Sequence, residues 1–293
     1  MREITVLSGK GGTGKTTITA ALASVAKGAV FCDNDVDAAD LHLLLKPEIK
    51  EKHLFLHGWN LKIDVDKCTA CGLCVDQCRF DAIHTDREQN YFINQLQCEG
   101  CRLCEKVCTE SAISSTLNTN NNWYISDTRF GTMVHAKLSP GEENSGKLVT
   151  QVRKVAKEKA VEIRADFILN DGPPGIGCST ISSLTGADLA LIVIEPTKSG
   201  YHDALRLMGL IRSFGIKAYA IINKCDVNPE MTMIIRNDLS KTGIELIAEV
   251  PFNQDVVKAM INEKTIVEYD PKSEISTIIK KIWERVSGDL IEM

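Results

Sequence analysis

The sequence has no apolar run near the roughly 20 residues that a membrane-crossing helix needs, so no span is expected. Its first residues, Met1-Arg2-Glu3-Ile4-Thr5-Val6, lack the layout of a secretory leader, and a cytoplasmic chain is expected. Positive charge is in deficit. Against 39 Asp and Glu stand 34 Lys and Arg, a formal charge of −5 over 293 residues. A surface that coats nucleic acid is therefore not expected. Apolar residues at 44% and charged ones at 25% are ordinary for a globular protein of one large or two moderate domains. Cysteine is what the chain has in excess. Eleven are present, an odd number, and eight fall in two tight clusters. With no leader, that pattern reads as metal ligation in a reducing compartment, not as a disulfide framework.

Directly behind the apolar run Ile4 to Leu7 lies Ser8-Gly9-Lys10-Gly11-Gly12-Thr13-Gly14-Lys15-Thr16-Thr17. Gly9, Gly14, Lys15 and Thr16 fit the phosphate-loop pattern G-x-x-x-x-G-K-[ST]. Its glycines let backbone N–H groups turn inward around phosphate oxygens with no Cβ in the way. The helix opening near Thr16 adds its positive end. Lys15 is placed to reach the β- and γ-phosphates and Thr16 to ligate Mg²⁺, with Gly11, Gly12, Thr13 and Thr17 completing the nucleotide-binding loop.

Carboxylates follow at two strand ends, Phe31-Cys32-Asp33-Asn34-Asp35 and Phe167-Ile168-Leu169-Asn170-Asp171-Gly172-Pro173-Pro174-Gly175-Ile176-Gly177. Mg²⁺ takes oxygen ligands and water, and a nucleophilic water needs a carboxylate to orient it. A third strand end, Ile221-Ile222-Asn223-Lys224-Cys225-Asp226, offers the Asn223 amide to a base edge. The same letters fit the N-K-x-D element that selects guanine, so adenine and guanine both stay open at this point.

The run Lys10-Gly11-Gly12-Thr13-Gly14-Lys15-Thr16 resembles the deviant loop of the MinD/ParA-type ATPases, which include the nitrogenase iron protein. The resemblance implies ATP as the nucleotide. It also implies that Lys10 crosses a dimer interface onto the partner's nucleotide, where a cation offsets charge on the transferred phosphoryl group. The stretch Asp33 to His42 is similar to that family's first switch. This implies that Asp35 orients the attacking water or holds the metal shell, with Asp37 and Asp40 as capping or surface acids. Phe167 to Gly177 is similar to the second switch, which implies that Asp171 contacts Mg²⁺ through water. Gly172, Gly175 and Gly177 would give that loop room to move. Pro251 and Phe252, like Glu195-Pro196-Thr197, stand where the family's loops close over the nucleotide.

Periodicity predicts strands over residues 2–8, 29–32, 123–126, 133–138, 166–170, 188–194, 217–222 and 244–250. Helices are expected at about 16–27, 36–45, 146–163, 179–184, 201–214, 229–241, 254–262 and 273–286. Short apolar strands alternating with helices imply an α/β fold: a mostly parallel sheet with helices on both faces, ligands at the C-terminal strand ends. Pro140 to Lys147 lacks the G-K-[ST] register and reads as a helix cap at Asn144 or Ser145. The last helix carries Ile275, Ile278, Ile279, Ile282, Trp283 and Val286 on one face, expected to pack on the sheet and not on a membrane.

Between the first switch and residue 123 the character changes. Cys68-x2-Cys71-x2-Cys74-x3-Cys78 recurs as Cys98-x2-Cys101-x2-Cys104-x3-Cys108, an internal repeat offset by 30 residues and continued in Ala82-Ile83 and Ala112-Ile113. Zinc sites use C-x2-C pairs and not triplets. Three cysteines so spaced wrap three corners of an iron–sulfur cubane, the fourth thiolate coming from elsewhere. The spacing resembles bacterial two-cluster ferredoxins, in which the fourth Cys of each run serves the other cluster. That implies one [4Fe–4S] cluster on Cys68, Cys71, Cys74 and Cys108 and a second on Cys98, Cys101, Cys104 and Cys78. The proline that usually follows the fourth Cys is replaced by Arg79 and Thr109. Residues 64–120 hold nine Asp/Glu against five Lys/Arg, which places most of the net negative charge where a redox partner would meet it. Cys178 stands where the nitrogenase iron protein carries an intersubunit cluster ligand, but that cluster needs two cysteines per subunit, and a small buried thiol is expected. Cys32 and Cys225 read as packing residues.

The two resemblances together imply three segments: residues 1–62 and 121–293 as the halves of a MinD-like P-loop ATPase domain, and 63–120 as an inserted ferredoxin-like domain. The implied activity is hydrolysis of ATP with Mg²⁺, slow without a partner, in a nucleotide-dependent homodimer or a heterodimer with a related ATPase. The expected outlet is electron transfer to a redox protein. Delivery to a cluster-accepting protein and redox sensing by a positioning switch are the alternatives.

Overall fold

The computed structural model describes residues 1–138 and 145–292. Two compact units emerge, one built from Met1–Lys52, Trp123–Ala136 and the chain from Gly146 onward, the other on His53–Asn122.

The first unit alternates strand and helix as its apolar runs dictate. It begins with β1 (Arg2–Ser8), α1 (Lys15–Ala23), β2 (Val30–Asp33), α2 (Leu41–Leu45) and β3 (Glu48–Leu54). The second unit follows with β4 (Trp59–Ile63), α3 (Leu73–Asp76), β5 (Ile83–Thr85), β6 (Tyr91–Ile93), α4 (Leu103–Val107) and β7 (Ile113–Leu117). The chain then returns through the hairpin β8 (Asn122–Thr128) and β9 (Gly131–Lys137) to α5 (Ser145–Glu162), β10 (Phe167–Pro174), α6 (Cys178–Leu184) and β11 (Leu189–Ile194). Last come α7 (Lys198–Ser213), β12 (Lys217–Asn223), α8 (Pro229–Leu239), β13 (Glu245–Val250), α9 (Gln254–Ile261), α10 (Ile266–Tyr269) and α11 (Glu274–Glu292).

Among the described residues the sheet runs β13-β12-β11-β1-β10-β2-β9-β8-β3. Neighbours from β13 to β9 pair in parallel, so the expected mostly parallel sheet is present. The central strands are buried on both faces, as continuous runs such as Leu189-Ala190-Leu191-Ile192-Val193-Ile194 require. One apolar cluster joins Ile4, Leu22, Phe31 and Leu191 to Ile275, Ile279, Ile282, Val286 and Leu290 of α11. Each such side chain contributes about 1.5–3 kcal/mol gross on burial. Trp283 meets Phe167 edge-on at 5.3 Å, and Lys217 holds Asp289 at 2.8 Å. The apolar face of α11 is thus spent on the sheet. No helix among the described residues is long and apolar enough to cross a membrane.

Three departures from the expected elements have local causes. Residues 36–40 form turns, and α2 begins only at Leu41, because Asp33 Oδ2 accepts the Leu41 N–H at 3.2 Å and interrupts the helical pattern. Strand β3 is unanticipated: Glu48-Ile49-Lys50-Glu51-Lys52 is exposed and charged, as an edge strand that resists further pairing must be. Helix α7 starts three residues early, at Lys198, since Thr197 caps it by accepting from Gly200 N at 3.0 Å. Asn144, one of the two cap candidates for α5, lies outside the described residues; Ser145 is that helix's first residue.

In the second unit β4 pairs antiparallel with β7 and β5 with β6, around Leu61, Cys74, Ile83, Ile93 and Ile113. The 30-residue repeat is visible in the backbone itself. Left-handed residues recur in pairs at that offset, Ala70 with Gly100, Gly72 with Arg102, and Asp81 with Ser111. At Gly100 a side chain is also excluded by space, since a Cβ would lie 2.8 Å from the Trp59 carbonyl oxygen.

Candidate functional site

The glycine-rich loop leaves the C-terminal end of β1 in the middle of the sheet and runs into α1. Its shape is held from three sides. Ser8 Oγ donates to Lys10 O at 2.9 Å, Asn223 Nδ2 to Thr13 O at 2.7 Å, and Lys224 Nζ to Gly12 O at 3.2 Å. Gly9 packs so tightly on α7 that a Cβ would come within 2.4 Å of the backbone of Asp203 and Ala204. Gly14, at φ +89°, sits against the Asn223 amide. A cavity of about 640 Å³ opens over the loop, lined by Gly11 to Thr17 with Asp35, Asp40, Leu43, Met260 and Glu263 among others. The Thr13 hydroxyl is buried here without a partner in the protein, a polar atom free for a ligand.

Lys15, Thr16, Asp35 and Asp171 are brought together below that loop. Lys15 Nζ donates to Asp171 Oδ1 at 2.9 Å and stands 3.6 Å from Asp35 Oδ2. Thr16 Oγ1 donates to the other Asp171 oxygen at 2.7 Å. Burial pulls the Lys15 ammonium down, but Asp171, Asp35 and Asp33 outweigh it and hold it above the ordinary lysine value. Burial raises the Asp35 carboxyl to about 6, Asp171 adding to the effect and Lys15 opposing it. Asp33 is fully buried and pushed up strongly by burial and then by the Asp171 charge. Its role is to shape the turn, accepting from Asp35 N at 3.1 Å as well as from Leu41 N.

Thr19 belongs to the same cluster and escaped the sequence reading. Its hydroxyl reaches Asp171 Oδ1 at 2.9 Å, and the only signal was its place one helical turn after Lys15. Lys10 lies along its own chain, 3.6 Å from Glu195 and donating to Ser199 Oγ at 3.2 Å. Glu195 in turn accepts from Lys224 at 2.7 Å.

A second, apolar cavity of about 210 Å³ adjoins the loop and is lined by Asn223, Pro251 and Phe252 together with Val256, Ile266 and Ile279. It suits the flat face of a base. No carboxylate of the described residues lines it. Asp226, the acid of the N-K-x-D letters, has an oxygen occupied by the Phe252 N–H at 2.6 Å.

In the second unit the eight clustered cysteines sort into two small cavities. One is lined by Cys68, Cys71, Cys74 and Cys108, the other by Cys78, Cys98, Cys101 and Cys104. Each cavity therefore takes three cysteines from one run and the fourth from the other. Backbone N–H groups point at both fourth sulfurs, Ala82 N to Cys78 at 3.4 Å and Ala112 N to Cys108 at 3.3 Å. Among the described residues no three His, Cys, Asp or Glu side chains gather closely enough for a single metal ion. A cubane presents four separate corner irons, each taking one thiolate, and so suits four cysteines spread around a cavity. Burial raises the thiols of Cys74 and Cys98, and that of Cys104 to about 11, so cation binding would release their protons.

Of the remaining cysteines, Cys32 is buried and Cys225 half-buried, as packing residues are. Cys178 is exposed, contrary to the expected buried thiol, because it opens α6 just beyond the Gly-Pro turn.

The nucleotide-binding domain model shared by CobQ, CobB, MinD and ParA proteins matches residues 4–266. The chain belongs to this family. The MinD/ParA proteins are P-loop ATPases, and the phosphate loop and mostly parallel sheet described above fall within the matched residues. An uncharacterised protein of Methanocaldococcus jannaschii is 32% identical over 288 residues, covering 97% of this chain and 96% of its own. Among solved structures, the cell division ATPase MinD of Pyrococcus furiosus is 21% identical with a TM-score of 0.58, covering 98% of both chains. MinD of Pyrococcus horikoshii, solved with Mg-ADP, is 20% identical with a TM-score of 0.57 over 97% of this chain and 95% of that one. These two similarities carry the fold.

Proposed function

We propose that this chain is a Mg²⁺-dependent ATPase switch that carries two [4Fe–4S] clusters and uses the nucleotide cycle to control electron transfer to a partner protein. The observation that carries the reading is the sorting of eight cysteines into two mixed sets of four, in a member of an ATPase family.

Lys15 is the residue that would meet the β- and γ-phosphates, exchanging its bond to Asp171 for phosphate oxygens. Thr16 and Asp171, freed from one another, would hold Mg²⁺ together with Asp35. Mg²⁺ supplies charge neutralisation on the phosphate oxygens. Asp35, raised to about 6, is suited to accept a hydrogen bond from the attacking water near neutral pH. Gly9 to Thr17 donate backbone N–H groups to the phosphates, and Asn223, Pro251 and Phe252 border the base. With one Asp226 oxygen taken by Phe252 N and no carboxylate in the base cavity, the N1 and N2 donors of guanine lack the carboxylate that would pair with both, which favours adenine. Lys10 would leave Glu195 and Ser199 to serve a second subunit's nucleotide, in a homodimer or with a related ATPase.

Cys68, Cys71, Cys74 and Cys108 would hold one cluster, and Cys78, Cys98, Cys101 and Cys104 the other. Bound clusters supply one-electron storage at potentials set by burial and by N–H groups such as those of Ala82 and Ala112. Cluster delivery to an acceptor is the second reading, favoured by the exposure of Cys71 and Cys101.

Anaerobic reconstitution tests the proposal. About eight irons per chain are expected, together with ATP hydrolysis that stops when Mg²⁺ is chelated. Far fewer irons, or no triphosphate binding in Mg²⁺, would sink it.

A further inference from the structure

Arg129 stands in the β8–β9 turn, far in sequence from every motif of the nucleotide site. Its Nη1 and Nη2 donate to the carbonyls of Leu45 at 3.0 Å and Leu44 at 2.8 Å, the last two residues of α2. On its other side Nε and Nη2 fork onto the Glu268 carboxylate at 2.6 and 2.8 Å, and Nη2 also reaches Glu263 O at 3.4 Å. Glu268 is itself fixed, since its carboxylate accepts Thr265 N at 2.8 Å in the capping box of α10. The guanidinium lies 4.5 Å over the Phe130 ring, which sets its plane. One residue past α2, Lys46 pairs with Glu263 and repeats the connection.

The two segments joined in this way both line the phosphate cavity, Leu43 and Leu44 from α2, and Met260 and Glu263 from the end of α9 and the turn after it. A nucleotide held in the cavity would lie against both linings, and their moving apart would loosen its hold. A planar guanidinium that bonds both at once resists that movement as a single ammonium cannot.

Resting on the nucleotide reading above, we propose that Arg129 is a positioning residue, a strap joining two linings of the phosphate cavity and setting the rate of nucleotide release. It touches no phosphate and takes no part in the chemistry.

The test is stopped-flow release of a fluorescent methylanthraniloyl-ADP from the full chain, with single-turnover ATP hydrolysis measured alongside. Arg129→Lys and Glu268→Gln each remove the fork, and release is expected to quicken about tenfold, the scale of a lost charge-assisted pair. The single-turnover rate of bound ATP should hold, so that Kd rises without a loss in the chemical step. Lys46→Ala, an exposed change, should quicken release only about twofold, as surface ion pairs contribute little. Glu268→Gln keeps the shape of the capping box and carries the test if Arg129→Lys fails to fold. Release at the wild-type rate, with a lowered melting temperature only, would make Arg129 a purely structural residue and overturn the strap. Failure of the wild-type chain to bind the probe at all would overturn the nucleotide reading, and the strap with it.

Discussion

Replacing Lys15 by Gln should have two separable effects, both calculable from its surroundings. The Lys15 side chain is 6% exposed, Asp171 1% and Asp35 12%, so the ammonium is the buried counter-charge of a carboxylate cluster. Removing one partner of a buried ion pair costs about 3–5 kcal/mol. The low end applies here, because Asp35 already sits at about 6 and can take up a proton when Lys15 is gone. With a urea slope of about 3 kcal/mol per molar for a unit of this size, a loss of about 3 kcal/mol moves the unfolding midpoint down by about 1 M. The second effect is on ligand linkage. Mg-ATP at a hundred times its Kd should stabilise the wild-type chain by about 2.7 kcal/mol, raising its midpoint by nearly the same amount, while the variant gains nothing. Urea titrations followed by far-UV circular dichroism, with and without Mg-ATP, read both effects in one experiment. A Lys15→Gln protein that unfolded with the wild type and kept its ATP-induced shift would refute the placement of Lys15 between the carboxylates and the phosphates.

The crossed cysteine sets predict an unusual pattern in double variants: Cys71→Ser with Cys108→Ser damages one cluster site and should leave about four irons per chain, whereas Cys71→Ser with Cys78→Ser damages both. Iron analysis giving the reverse order would rule out the crossed assignment. His135 is held to about 4 by burial, with the His42 charge acting in the same direction, and its ring stacks on Tyr124 and bonds Ser126 at 2.9 Å. Since the unfolded side chain titrates near 6.5, the unfolded state binds the extra proton first. Stability should therefore fall as pH drops from about 6.5 to about 4, by about 2–3 kcal/mol, and level off below. His135→Gln should flatten that slope in urea midpoints measured across the same range, and an unchanged slope would place its origin elsewhere.

What the amino-acid order made legible was local chemistry. The phosphate loop is ten consecutive residues, and its acids stand at the ends of apolar runs whose only comfortable place is a buried parallel sheet. The cysteine runs carry their offset of 30 residues openly, and the paired left-handed residues from Ala70 to Ser111 follow it. Less was visible where distant segments meet. Lys10 looks free between two glycines, yet it lies against Glu195 and Ser199, almost 190 residues on. Asp33 and Asp35 read alike as strand-end acids, and only the turn hydrogen bonds to Asp35 N and Leu41 N separate the shaping role of Asp33 from the place of Asp35 on the cavity wall. Strand β3 was hidden by its charge, because edge position and not composition makes it a strand. Arg129 gave no signal, its partners Leu44 and Glu268 lying on either side of it at long range.

The claim at the centre of this account is that adenine nucleotide and the two four-cysteine sites act on one another. An EPR-monitored redox titration of anaerobically reconstituted protein, run without nucleotide and with Mg-ATP or Mg-ADP, addresses it directly. The account predicts cluster midpoints that move with nucleotide, by about 59 mV for each tenfold of coupling in a one-electron step. Midpoints that coincide in all three titrations, on protein carrying its full iron and binding ATP, would contradict it.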